Sequence, residues 1–290
     1  MRELFRFAGS YQLVNVLEVL YVSILPFAIL RSFGAESAGV YAVATRVVTS
    51  ATILQDSFLS PILSGGTTVY ASGSAERMQR LLVKAFKVTL VLSLFPLGFI
   101  ALFGTTITFA WTGKTDARFE LAFWLVCAQA FFRSFSLLAL VLYRVSGKAV
   151  LDNVRQVLRI LLLLGIAAFA TRLGFYGVLS GLALTEMVGM IFMLFALTST
   201  FEKFRASALL PDVTKLTVAA TLILGSGLIV SRFWMVSGMS GAREIAIFKL
   251  AGISIACLLV AWPMLRLTGS VDAQEGSALL TAVFHRDARK

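Results

Sequence analysis

Long uninterrupted apolar runs constrain this chain more than any other feature. A helix crosses the ~30 Å hydrocarbon core of a bilayer with about 20 residues. Runs of that size occur at 11–30, 38–64, 84–110, 119–143, 150–171, 174–198, 213–233 and 245–267. Only 14% of the 290 residues are charged and 58% are hydrophobic, too little polar surface to cover a water-facing globule. That excludes a soluble enzyme, a disordered tail and a disulfide scaffold. The expectation is an all-α, polytopic membrane helix bundle of about eight transmembrane helices over residues 1–270, with a cytoplasmic tail over 271–290. The fifth run is the weakest. Its apolar part, Val157 to Ala170, becomes long enough only if the helix starts back in Asp152–Gln156. The first run carries Asn15 and Glu18 and has no small-residue cleavage site before Ala35, so it reads as a membrane helix rather than a signal peptide.

The net charge of +11 orients these helices. With the N-terminus inside, seventeen Lys and Arg fall on the cytoplasmic side, among them Arg77, Arg80, Lys84, Lys87, Arg144, Lys148, Arg155 and Arg159. Seven fall outside, including Arg31, Lys114, Arg118 and Arg172. Positive loops stay inside, so both termini are expected in the cytoplasm. Trp111, Trp124, Trp234, Tyr41 and Tyr176 then fall near the outer interface, and Tyr11, Tyr143 and Trp262 near the inner one. The excess of basic residues needs no nucleic acid partner; cytoplasmic loops facing anionic lipid account for it. Cys127 and Cys257 lie in apolar runs and His285 is the only histidine, an inventory too small for a zinc site or a histidine triad, and no cofactor is expected.

Five charged residues sit well inside the runs: Glu18, Arg46, Asp56, Arg133 and Glu186. An Arg or Asp at a helix centre costs roughly 2.5–3.5 kcal/mol on insertion scales. At ~1.5 Å per residue, all five lie within roughly 8 Å of the bilayer centre, the clustering in depth that a central polar cavity requires. In the second run, Thr45, Thr49, Thr52 and Asp56 recur at helical spacing, with Arg46, Ser50, Ser57, Ser60 and Ser64 beside them. Tyr11, Asn15 and Glu18 share a face of the first run, and Gln129, Arg133 and Ser136 share one of the fourth. The candidate cavity residues are therefore Arg46, Arg133, Asn15, Thr49, Ser50 and Gln129. Asp56, Glu18 and Glu186 are the candidates for carrying a coupling proton or cation. Structural alternatives stand beside each: an Asp56–Arg133 pair fixing helix register, a snorkelling Arg46, and Glu18 or Glu186 as neutral packing residues.

Several segments also resemble a known family. Phe33-Gly34-Ala35-Glu36-Ser37-Ala38-Gly39-Val40-Tyr41-Ala42-Val43-Ala44-Thr45-Arg46 leads through a short glycine-containing outer loop into a polar helix. Ser60-Pro61, Gly73-Ser74-Ala75-Glu76-Arg77, Trp111-Thr112-Gly113-Lys114, Gly147-Lys148 and Gly174-Phe175-Tyr176-Gly177 follow in order. Together, over about residues 1–200, they resemble the Wzx-type O-antigen and exopolysaccharide flippases of the multidrug/oligosaccharidyl-lipid/polysaccharide exporter superfamily. The resemblance implies a multi-pass protein of the bacterial cytoplasmic (inner) membrane. It would move an undecaprenyl-pyrophosphate-linked oligosaccharide outward by alternating access between two helical lobes. Members usually have twelve or fourteen spans, and eight resemble the C-terminal lobe. That implies a missing N-terminal lobe, a second chain or a second copy as partner, besides membrane lipids. Two other functions stay open: a non-transporting membrane subunit of a polysaccharide assembly complex, and a membrane polysaccharide polymerase. The polymerase is disfavoured because no outer loop exceeds about a dozen residues.

Overall fold

The computed structural model describes residues 2–114, 116–146, 150–201, 210–236 and 243–267. Among these there is no strand. The helices are α1 (Arg2–Ala71), α2 (Ala75–Thr112), α3 (Arg118–Val145), α4 (Val150–Ala168), α5 (Ala170–Thr200), α6 (Leu210–Val236) and α7 (Arg243–Leu267). Among the described residues, six stretches are long and apolar enough to cross a membrane: Val16–Ile53, Ala75–Thr112, Arg118–Val145, Ala170–Thr200, Pro211–Ser231 and Arg243–Ala261. The expected count of about eight is larger by two, because the first two runs follow one another directly across Gly34 and count as one stretch, and α4 carries Asp152, Arg155 and Arg159 within 19 residues. The chain divides into two compact units, residues 1–208 and 209–290. The expected tail over 271–290, with His285, lies outside the described residues, as do the side chains of Tyr11, Trp234 and Trp262.

Two glycines shape the first unit. Gly34, inside α1, has φ 80° and ψ 177°, and Gly174, inside α5, has φ 71° and ψ 172°. That region is open essentially only to glycine, so each residue interrupts its helix without a loop. The two interruptions meet: the rings of Phe33 and Phe175 pack edge to face at 6.1 Å. Arg118, opening α3, joins the same end. Its guanidinium binds Asp116 at 2.7 Å and Glu36 at 3.1 Å, and its carbonyl accepts from the Tyr176 hydroxyl at 3.4 Å. The opposite end gathers the close of α1 and of α5, where Tyr70 and Phe201 pack edge to face, and the start of α2, capped by Ser74.

Between these ends both halves of α1 pack on one core. Tyr21, Leu25 and Ile29 from the first half join Val40, Ala44 and Val48 from the second, against Phe123 of α3 and Leu179 of α5. Gly104 of α2 is a point of close approach, since a Cβ there would lie 2.5 Å from the Phe123 ring. The surface is apolar: Phe27, Leu161 and Phe195 are each more than 60% exposed. Trp111 and Trp124 are exposed, but Tyr41 and Tyr143 are buried. The Tyr143 hydroxyl donates to the Met193 carbonyl at 2.6 Å, so this residue ties α3 to α5 rather than reaching an interface.

In the second unit α6 and α7 pack through small residues, among them Ala219, Ala220 and Ala246, with the Cys257 thiol 3.5 Å from the Ile223 carbonyl. Small side chains let helices approach closely, which is how packing replaces the hydrophobic effect in an apolar solvent. Ile229, Phe248, Leu258 and Leu259 lie exposed on this unit.

Candidate functional site

α4 is inside out. Its buried residues are Asp152, Arg155, Gln156, Arg159 and Leu163, spaced as one helical face. Val150, Val154, Val157, Leu161 and Leu164 of the same helix are exposed. In water this arrangement would be the wrong way round. In a bilayer it is the stable one, because lipid takes the apolar face and charges pair within the bundle.

The centre of that face is Arg159, whose side chain is 1% exposed. Its Nη1 donates to Glu18 Oε2 of α1 at 2.6 Å and to Gln156 Oε1 at 2.7 Å. Its Nε and Nη2 donate to Glu186 Oε1 of α5 at 3.1 and 2.5 Å. The guanidinium also lies over the Tyr21 ring, 4.1 Å from its centroid, adding a cation–π contact. Glu18 is held on both oxygens: Arg133 Nη2 of α3 donates to Oε1 at 2.7 Å, while Gln156 Nε2 joins Arg159 on Oε2, also at 2.7 Å. Towards the other end of α4, Asp152 accepts from Arg155 at 3.2 Å and lies 3.6 Å from Arg144 of α3. One guanidinium thus ties α1, α4 and α5 together, and Glu18 adds α3. The Tyr21 hydroxyl, Nη1 of Arg155 and Oε2 of Glu186 are buried with no hydrogen-bond partner among the described residues.

Of the residues singled out in the sequence, Glu18, Arg133 and Glu186 are brought into this network. Arg133 pairs with Glu18 rather than Asp56, although it remains within electrostatic reach of Asp56. Gln129 is half-buried one turn before Arg133. Arg46, Thr49, Ser50 and Asp56 lie together on the exposed face of α1, outside the network. The Ser50 hydroxyl bonds back to the Arg46 carbonyl at 2.9 Å, and no hydrogen bond or ion pair engages the Arg46 side chain among the described residues. The side chain of Asn15 lies outside the described residues.

Arg155 and Arg159, counted with the cytoplasmic charges from sequence, are buried inside the bundle, which takes two from the seventeen. The signal that identifies them is the spacing 152, 155, 156, 159 and 163, a polar helical face rather than a loop. Gln55 is another buried polar residue that hydropathy hides. It is 2% exposed, and its Oε1 accepts from Ser134 at 2.8 Å and Ser93 at 3.3 Å, joining the second half of α1 to α3 and α2.

Chemically, the network holds charge in place. Oppositely charged groups alternate from Arg144 through Asp152 and Arg155, and again from Glu186 through Arg159 and Glu18 to Arg133. Arg133 is the member that reaches outward, with 40% of its side chain exposed. No group of metal-binding side chains occurs among the described residues. In comparisons with known proteins, no protein-family model matches this chain and no curated protein is significantly similar to it.

Proposed function

We propose that the chain is a lipid-linked oligosaccharide flippase, or one lobe of it. In this reading it lies in a bacterial cytoplasmic membrane with both termini inside. The two halves of α1 cross separately and α4 crosses as well, giving eight crossings. The observation that carries the reading is the exposed polar stripe of α1. Arg46, Thr49, Ser50, Asp56 and Ser57 lie exposed on one face of the bundle, and at the depths expected from the sequence lipid would penalise them. Such a face is stable only against water or further protein. A second lobe, supplied by another chain or another copy, would enclose it as a cavity. Arg46 on that face and Arg133 at the edge of the charge network suit a pyrophosphate or an acidic sugar, which guanidinium groups bind through charge-assisted bidentate hydrogen bonds. The resemblance of residues 1–200 to Wzx-type flippases supports the substrate class.

The test is rescue of O-antigen or exopolysaccharide export in a flippase-null strain by this chain expressed with its neighbouring genes. The wild-type chain is expected to restore export, and the double variant Arg46→Gln/Arg133→Gln to lose it. Export that survives removal of both charges refutes the anion cavity and turns the stripe into the contact surface of a non-transporting subunit.

A further inference from the structure

The first half of α1 leaves a lateral cleft of about 600 Å³ beside the end of α4 and the start of α5, lined by Ser23, Ile24, Phe27, Ala28, Arg31, Ser32, Ala167 and Thr171. The α1 residues recur every fourth position over 23–32, so the cleft follows two helical turns, roughly 12 Å. Its character changes along its length. Ile24 and Phe27 form apolar walls, and Ala28 with Ala167 keeps the floor open. Arg31, Ser32 and Thr171 lie at the end nearer Gly34. Phe27 is 71% exposed, so the cleft opens sideways onto the apolar surface of the bundle.

The polar groups around this cleft are uncommitted. Many exposed hydroxyls of these helices, such as Ser50, Ser57 and Ser64, bond back to the carbonyl one turn earlier. Those of Ser23, Ser32 and Thr171 bond to none of the described residues, and Arg31 forms no ion pair or hydrogen bond with them. The contrast with Arg159, which spends its donors inside the protein, is direct. A guanidinium beside hydroxyl donors at the mouth of an apolar cleft is complementary to a phosphodiester carrying a hydrocarbon chain.

We infer that this cleft binds an anionic phospholipid from the leaflet on the Gly34 side, its phosphate on Arg31 with Ser32 and Thr171, and one acyl chain along Ile24, Phe27 and Ala28. The site stands apart from the transport reading and needs only that this unit spans a bilayer.

The experiment places a reporter in the cleft. The Phe27→Trp variant of the full chain is reconstituted in phosphatidylcholine vesicles doped with brominated phosphatidylglycerol or brominated phosphatidylcholine, and quenching beyond that of the native tryptophans is recorded. Phosphatidylglycerol is expected to quench the added tryptophan at roughly five-fold lower mole fraction, the size of one basic residue's attraction for anionic lipid. Arg31→Gln in the same background is expected to erase that preference and leave phosphatidylcholine quenching unchanged. Equal quenching by the two lipids, or a preference that survives Arg31→Gln, overturns the site. Displacement of phosphatidylglycerol by sub-stoichiometric polyprenyl phosphate overturns the phospholipid assignment in favour of that lipid. Should Phe27→Trp fail to fold, retention of phosphatidylglycerol by the wild-type chain in native mass spectrometry, and its loss in Arg31→Gln, gives the same decision.

Discussion

The second half of α1 and the whole of α4 each carry a polar stripe at helical spacing, and the bundle places them in opposite ways. In α4, Asp152, Arg155, Gln156 and Arg159 are each at most 2% exposed, and each charge meets an opposite one. In α1, Arg46, Thr49, Ser50, Asp56 and Ser57 stay on the surface, and the Arg46 side chain binds nothing described. The difference separates two uses of polarity in a membrane. Paired charges between helices fix which helices adjoin. Unpaired ones on an exposed face, as on α1, are those that the proposed second lobe would cover.

The largest break in that comparison comes from α4. Arg159→Met strands Glu186 with no donor and leaves Glu18 with two of its three. Removing one partner of a buried ion pair costs about 3–5 kcal/mol, so thermal unfolding in detergent should show a severe loss. The double variant Arg159→Met/Glu186→Met removes both charges and should recover much of it, because well-packed apolar groups replace a buried pair at little cost. A double variant as unstable as the single would mean that Arg159 acts through Glu18 alone.

Cysteine labelling sharpens the contrast next, since maleimides react with the thiolate, which needs water. In membranes containing the assembled protein, Ser57→Cys is expected to label readily with a charged maleimide. Val157→Cys, on the exposed apolar face of α4, is expected to stay unlabelled. The native Cys127 and Cys257 are buried and supply the background. Equal protection of both positions would place the α1 stripe against protein or lipid instead of a water-filled space. For stability the stripe should hardly matter: Arg46→Gln or Asp56→Asn is expected to change it by no more than about 0.5 kcal/mol, the usual range for surface substitutions. A larger loss in thermal unfolding would show that these residues belong to a packed interface.

The smallest effect lies outside the spans. The Arg118 side chain, followed by the Arg118 backbone N–H, holds the Asp116 carboxyl below its ordinary range. A lowered folded-state value gives a contribution that is present above the unfolded value of about 3.9 and lost as pH falls through the folded one. Thermal midpoints followed downward from about pH 5 should therefore drop slightly more in the wild type than in Asp116→Asn, a solvent-screened difference.

Much of the architecture was legible in the sequence, because the apolar runs that predict helices are long and the lipid-facing residues need only be apolar. Three of the five interior charges, Glu18, Arg133 and Glu186, do converge, since a charge deep in such a helix has few places to go except another helix. The partners were harder to see. Hydropathy averages over all faces of a helix, so the charges of α4 made it look like the lead-in to a span and sent Arg155 and Arg159 to the cytoplasmic count. Neighbouring positions mislead for a related reason. One step along a helix turns the side chain by about 100°, and that step separates exposed Asp56 from buried Gln55. Depth can be read from one dimension; which helix a residue faces cannot.

The inside-out face of α4 also bears on how the molecule is made. A segment that carries Asp152 and Arg155 besides Arg159, which at the helix centre alone costs roughly 2.5–3.5 kcal/mol against insertion, is a poor candidate to enter the bilayer alone. Phe169 is all that separates α4 from α5, whose Glu186 is waiting for Arg159. With α4 as one of the proposed crossings, the two would enter the bilayer as a hairpin, with α1 already in place to offer Glu18. The order of synthesis suits such a pairing: α4 is made after Glu18 and immediately before the helix that carries Glu186.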